Sequence, residues 1–304
     1  MPRQCRRFLV ALSLGFLVTT PSLLSGEEAT ATENLGVRLA YRFHSNQSLY
    51  FEYSQELTMD SRKKDLQETM RSQSSAEKHL RVISVDANGN AWIEPVIDRA
   101  RLSHNLAGGP TTTFDSADGA EKCLPEYRPI LNTVGKPLVQ VNFASTGRVV
   151  EATPFEGGNA SAKGLENDPM LNFLIVFPEQ PVKLGDTWKD EFNVAVSVTE
   201  KLRKDLKLRR EYRLTKLDGP LAVIELKTTA ISPINEPSLE LQIMLRLLTG
   251  TIVFDYQAGQ LVSTQLQVDR EVINALGPGS LVHTTMTQSE RIVPNPRVAG
   301  RAEK

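Results

Sequence analysis

The chain has 304 residues, 40% hydrophobic and 23% charged, with a formal net charge of −1. That is ordinary globular composition, enough for one large core without covalent staples. Without Arg3, Arg6 and Arg7 the remainder carries 32 basic against 36 acidic side chains, a balance of −4 that argues against a nucleic-acid binder.

Residues 1–26 have the pattern of an export signal. Arg3, Arg6 and Arg7 make a positive start, and Phe8 to Val18 is an apolar run too short to anchor in a bilayer. Cleavage is expected near Ser25 or Gly26, with a retained N-terminal anchor as the alternative. The expected place of work is therefore the periplasm or the extracellular space, and no transmembrane segment is expected in the mature chain. Cys5 precedes the apolar run and leaves with it, so Cys123 is the one cysteine of the mature chain, read as an inert, half-buried thiol.

After a polar lead at 27–36, the chain alternates like a strand at Leu39, Tyr41 and Phe43, and again at Leu49, Phe51 and Tyr53. Val82 to Val85 and Ala91 to Ile97 flank Asp86-Ala-Asn88-Gly89-Asn90, which predicts a hairpin with a type I′ turn. Residues 105–120, rich in Gly, Thr, Asp and Ser, read as a long surface loop, and Pro125 to Leu131 as a helical turn or two. A second hairpin is expected about Thr146-Gly147-Arg148, and residues 154–164 read as a linker. Asp168 and Pro169 form a helix start before Met170 to Val176, predicting a short buried helix.

Beyond the helix, Phe192, Val194, Val196 and Val198 alternate, followed by a charged strand through Leu206, Leu208, Tyr212 and Leu214. Asp218-Gly219 and Gln257-Ala258-Gly259 read as turns between strands. Val282 to Val293 is one more strand, and 294–304 is a polar tail. The two halves, about 37–153 and 186–293 joined by 154–185, share an order of elements that suggests an internal duplication; chance alternation in any β protein is the alternative. Short turns impose antiparallel pairing. The fold expected is mainly β: one domain over 37–293, a curved antiparallel sheet or open half-barrel covered by a short buried helix.

The connector Phe177-Pro178-x-x-Pro181-Val182-x-x-Gly185-Asp186-Thr187-Trp188 resembles the signature of a family of exported bacterial proteins of unknown function. The resemblance covers about residues 37–293 and extends to the signal peptide, the glycine turns and a short helix before the motif. With no activity assigned to the family, it implies no catalytic residue, and Phe177, Pro178, Pro181, Gly185, Asp186 and Trp188 stand as a structural motif. The expected architecture is also similar to the lipoprotein-carrier group, whose half-barrels hold acyl chains.

Reactive constellations are absent from the sequence. His44, His79, His104 and His283 are scattered, without the close spacing of a zinc site. Asp86-x-Asn88-x-Asn90 lacks the glycine and glutamate positions of a calcium loop. Ser61-x-x-Lys64 and Ser75-x-x-Lys78 match the nucleophile spacing of penicillin-recognising enzymes but have no Lys-Thr-Gly partner. No cofactor or metal is expected. Lys201, Arg203, Lys204, Lys207, Arg209, Arg210 and Arg213 form a candidate contact for an anionic surface, or else a solvated strand face. Trp92 and Trp188 are expected in the core. The function read from the chain is a non-catalytic envelope protein that binds a lipid or other apolar molecule. The alternative is a structural module that contacts another envelope protein, and a hydrolase with an unrecognised site comes third.

Overall fold

The computed structural model describes residues 36–106, 108–155, 173–199 and 201–296. The leader, residues 27–35 of the lead, most of the 154–164 linker, Asp168 and Pro169, and the tail from 297 lie outside them. The described chain forms β1 (Ser48–Lys63), β2 (Leu66–Val85), β3 (Ala91–Asn105), β4 (Thr112–Asp115), β5 (Val139–Phe143) and β6 (Val149–Pro154). It continues as β7 (Thr187–Ser197), β8 (Arg203–Asp218), β9 (Leu221–Ala230), β10 (Thr249–Asp255), β11 (Gln260–Ile273) and β12 (Ser280–Val293). All twelve strands join one sheet in the order β6-β5-β3-β2-β1-β12-β11-β10-β9-β8-β7, with β4 added beside β3. Every pairing is antiparallel. Each half is a meander, and the β1–β12 pairing welds the two together. Among the described residues no helix is long and apolar enough to cross a membrane.

The sheet curls, and one segment shows why. Residues 37–43 carry the alternation expected of a strand, with Val37, Leu39, Tyr41 and Phe43 buried, but they form no ladder of their own. Instead the segment crosses the inner face. Tyr41 N–H donates to Ser145 O at 2.7 Å in the β5–β6 turn, and Arg42 N–H to Gly259 O at 3.0 Å in the β10–β11 turn. Six strand spacings separate β5 from β10 in the sheet order, about 29 Å if the sheet were flat. One dipeptide can bond both turns only if the sheet wraps over it.

Glycine makes both approaches possible. A Cβ on Gly147 (φ +83°) would sit 2.2 Å from Ile175 O and 2.8 Å from Tyr41 Cε2, and one on Gly259 (φ +67°) would sit 2.5 Å from Arg42 N. Neither the space nor the backbone angle suits a larger residue.

The connector closes the remaining gap between the edge strands. Phe177 N–H donates to Thr146 O at 2.8 Å beside β6, while Trp188 of β7 donates from Nε1 to Val176 O at 2.9 Å. Val37 pairs with Val182 in an isolated antiparallel bridge. Phe177 lies with its ring centroid 4.5 Å from Phe254, 5.2 Å from Tyr41 and 6.4 Å from Trp188. The sheet is an open barrel with its seam filled by residues 173–182.

This arrangement corrects the expected helix. Of Met170 to Val176, residues 170–172 lie outside the described chain, and Phe173 to Val176 is not helical. Leu174, Ile175 and Val176 are buried as expected. Their backbone groups, however, serve tertiary partners: Ile175 N–H donates to the Tyr41 hydroxyl at 2.9 Å, and Val176 O receives Trp188. A helical turn would claim the N–H of Phe177 for its own ladder, and Thr146 already holds it.

The helix that does cover the sheet is α2 (Pro237–Ile243), numbered after α1 (Arg128–Leu131), and it continues into a 3-10 turn at Met244–Arg246. Leu239, Ile243 and Leu247 pack on Phe192, Val194, Leu206 and Leu208, and Met244 packs on Val272 and Val282. Four such side chains contribute on the order of 8 kcal/mol before conformational entropy is charged.

Two local expectations also need correction. The loop at 105–120 contains β4, whose Phe114 is buried with Ala100, Cys123 and Tyr127 beneath the helical turns at 125–131. The hairpin at 86–90 forms, but only Gly89 takes a positive φ (+82°), so it is not a type I′ turn. Asp86 closes it instead, its Oδ1 accepting the N–H groups of Asn88 and Asn90 at 2.8 Å each. Those bonds hold the carboxyl below its usual range.

Candidate functional site

Inward-facing positions on the central strands are aliphatic near the seam and turn polar toward the middle. On β8 the inward phase runs Leu206, Leu208, Arg210, Tyr212, Leu214, which places one guanidinium among buried groups. On β12 it runs Val282, Thr284, Met286, Gln288, Glu290, Ile292. β1 adds Tyr53 and Gln55, and β2 adds Lys78. These groups surround a cavity of about 600 Å³, within the ~300–1,000 Å³ range of small-molecule sites. Its apolar lining comes from Leu226, Ile252, Leu261, Leu266 and Met286, with Phe173 to Ile175 at one boundary and Leu245, Arg246 and Leu248 at the other.

Among the described residues the charges at the cavity form two inward pairs and leave one cation unpaired. Lys78 Nζ lies 2.9 Å from Glu290 Oε2 and 5.6 Å from the Tyr53 ring centroid. Tyr53 donates its hydroxyl proton to Gln55 Oε1 at 2.6 Å. Burial and the Glu290 charge push the Tyr53 hydroxyl up to about 12, so it stays a neutral donor. The Arg210 guanidinium stands 4.3 Å from the Phe192 ring centroid and 3.4 Å from Asp190 Oδ2. Burial raises the Asp190 pKa, against the pull of Arg210 and of Arg148 from across the seam. Beside them burial pushes Tyr212 up to about 12. Arg246 is exposed at the cavity edge and forms no ion pair with another described residue. Gln242, one turn earlier, fixes that edge by accepting from Ser197 N–H at 2.8 Å and donating to Ser197 O at 2.9 Å.

Chemically the cavity sets an aliphatic wall beside a few charged and amide groups. Its described lining holds no serine, cysteine, histidine or aspartate; Tyr53, Lys78, Thr264 and Glu290 are among its reactive types, and Lys78 and Glu290 are paired with each other. Among the described residues no three His, Cys, Asp or Glu side chains converge as a metal site. The histidines serve local bonds: His79 to Asp98 at 2.7 Å, His104 to the Tyr127 hydroxyl at 2.8 Å, and His283 to Asp269 at 2.8 Å. Ser75 and Lys78 sit three residues apart on β2 and so project from opposite faces. Ser61 is spent on Glu68 O.

The seven basic residues singled out in sequence are divided by the strand pleat. Arg203, Lys207, Arg209 and Arg213 share the outward phase of β8, Lys204 and Arg210 have the opposite phase, and Lys201 lies exposed in the preceding turn. Glu191 neutralises both Arg209 (2.7 Å) and Lys207 (3.6 Å), and Lys189 meets Glu211 at 3.3 Å. Arg213 stands in register with Glu225 of β9. The outward face of β7–β9 is thus a charge checkerboard more than a cationic patch.

The connector residues are brought together as seam and turn. Phe177 and Trp188 are buried, and Gly185 and Asp186 form an exposed turn in which Asp186 Oδ2 accepts Lys183 N–H at 2.8 Å. Trp92, by contrast, is half-buried on the outer face. Sequence reasoning missed Lys78, Glu290, Tyr53 and Arg246 as site residues. For Glu290 and Arg210 a signal existed: a charge in phase with core residues on an alternating strand.

Residues 167–264 match the model of DUF6263, a family of unknown function. The match contains the whole connector, and the resemblance drawn from those residues is borne out at that level. No curated protein matches significantly. Among solved structures, a lipovitellin chain described for its lipid–protein interactions is 11% identical with a TM-score of 0.40, over 83% of this chain and 26% of that one. This chain therefore spans about a quarter of the lipovitellin length. A DUF1329 protein from Desulfovibrio piger is 10% identical (TM-score 0.15) over 79% of this chain and 85% of its own. A putative outer-membrane lipoprotein-sorting protein domain from Vibrio parahaemolyticus is 9% identical (TM-score 0.15), with coverages of 80% and 83%.

Proposed function

We propose that this chain, which carries the DUF6263 match over 167–264, is an exported, non-catalytic binding protein that takes a lipid or other apolar molecule into its inner cavity. One observation carries the reading: the cavity of about 600 Å³ has Leu226, Ile252, Leu261, Leu266 and Met286 along its wall beside a polar edge. Burying a hydrocarbon ligand against such a wall is favourable at about 25 cal/mol per Å² of apolar surface removed from water. The polar groups at its edge orient a ligand without offering it a reaction. Export rests on the leader-like pattern at 1–26, which supports a place in the periplasm or outside the cell. The second reading, a module that contacts envelope proteins through its basic strand, is less favoured: Glu191 and Glu211 neutralise Lys189, Lys207 and Arg209 on the β7–β9 face, leaving Arg203 and Arg213 exposed there without an ion pair among the described residues.

Native mass spectrometry of the mature protein incubated with palmitate tests the proposal. Wild type takes up one ligand, and Leu266→Phe, which fills the cavity from β11, takes up little while keeping its melting temperature within a few degrees. A wild type that binds none, or a variant that binds as well as wild type, contradicts the assignment of this cavity.

A further inference from the structure

We infer that the ligand of this cavity carries an anionic head, a carboxylate or a phosphate, and that Arg246 receives it with support from Arg210. The inference rests on the cavity being the binding site and adds the chemistry of its occupant. The cavity is lined by three cations, Lys78, Arg210 and Arg246, and one anion, Glu290. Lys78 and Glu290 satisfy each other at 2.9 Å. Arg210 shares Asp190, which lies just outside the lining, but at 3.4 Å the contact is longer than the ~2.7–2.9 Å of a strong charged hydrogen bond. Arg210 is also held against the Phe192 ring and the Tyr212 hydroxyl, so it lends the site its charge more than free donors. Arg246 has no ionic partner among the described residues.

With Asp190 counted, the site keeps one net positive charge, in a protein whose overall balance is negative. The excess is therefore local, not a reflection of a basic surface. Guanidinium groups match the planar, two-oxygen geometry of carboxylate and phosphate. The aliphatic wall beside them lowers the local dielectric and strengthens that attraction relative to water. A cationic head would meet a net positive site, and a neutral hydroxyl would accept from Arg246 only a hydrogen bond weaker than that to an anion.

A series with one tail and four heads separates these cases: laurate, dodecyl phosphate, dodecanol and dodecyltrimethylammonium, each below its micellar concentration, titrated calorimetrically into the intact mature protein. Laurate and dodecyl phosphate are expected to bind at least tenfold tighter than dodecanol, and the ammonium weakest. Arg246→Gln should bring both anions down to about the dodecanol affinity and leave dodecanol unchanged, while Arg246→Lys restores part of the difference. A preference for phosphate points to phospholipid as the source, and a preference for carboxylate to free fatty acid; both support the inference. Dodecanol binding as tightly as laurate, or an Arg246→Gln protein with wild-type laurate affinity, overturns the anionic head and leaves the cavity assignment standing. Failure of all four to bind overturns both.

Discussion

The seam and the cavity adjoin on the same inner face, sharing Phe173 to Ile175, and are built in opposite ways. At the seam, Tyr41, Phe177, Phe254 and Trp188 interlock, and the N–H groups of Ile175 and Phe177 and the carbonyl of Val176 each have a named partner. At the cavity, the inward phase of the same strands presents Lys78, Arg210, Gln288 and Glu290, and about 600 Å³ stays unfilled. A sheet this strongly curled must be shut somewhere, and shutting it at one end lets the middle be left open. On the proposed reading, stability is concentrated in the first region and binding in the second.

Substitutions in the seam should therefore cost stability, and those in the cavity should cost ligand. The largest loss is expected for Trp188→Ala, about 4 kcal/mol in urea unfolding, because it removes a buried indole and leaves Val176 O without its donor. A loss below 1 kcal/mol would mean the seam does not hold the barrel. Gly147→Ala comes next, at about 3 kcal/mol, since its new methyl group meets Ile175 O and the backbone angle opposes it. Tyr41→Phe keeps the ring stack and removes only the acceptor for Ile175 N–H, so roughly 2 kcal/mol is expected. If all three variants retain palmitate binding at low temperature, the two regions are separable; if seam variants lose binding while still folded, they are not.

The smallest effect is an acid-dependent one, away from both regions. Asp115 at the end of β4 takes two hydrogen bonds from Arg99 and one from Ala117 N–H, and these hold its carboxyl well below the usual range. The unfolded chain then holds that proton more tightly than the folded one. The stabilisation is complete above the ordinary carboxylate pKa, about 4, and fades as pH falls through the lower folded value. Asp115→Asn should flatten the fall of stability below pH 4; an unchanged slope would place the acid sensitivity elsewhere.

Much of this was readable from periodicity. The antiparallel sheet, most of its hairpins and the burial of Leu174 to Val176 follow from alternation and turn residues. The helix at 170–176 did not survive where it is described, because a run apolar on every side fits any buried conformation, and only tertiary partners such as Tyr41 and Thr146 decide which. β4 was hidden because threonines between glycines suit a loop as well as a strand, until Phe114 finds Tyr127. The helix α2 was not expected, although Pro237 at a start position and Leu239, Ile243 and Leu247 at four-residue spacing carry its signal. The cavity was illegible for a different reason. Reactive motifs were sought, whereas the site consists of charges at core-phase positions drawn from strands far apart in sequence, Lys78 and Glu290 among them, and only the sheet order brings those together.

The central claim is that the cavity receives a hydrocarbon chain while the seam stays shut. Backbone hydrogen exchange, followed by mass spectrometry with and without saturating palmitate, reads both parts at once. The account predicts slower exchange in peptides covering 242–248, 260–268 and 284–290, with 37–43 and 177–188 unchanged. Protection absent from 242–248, 260–268 and 284–290, or exposure of 177–188 on binding, would contradict it.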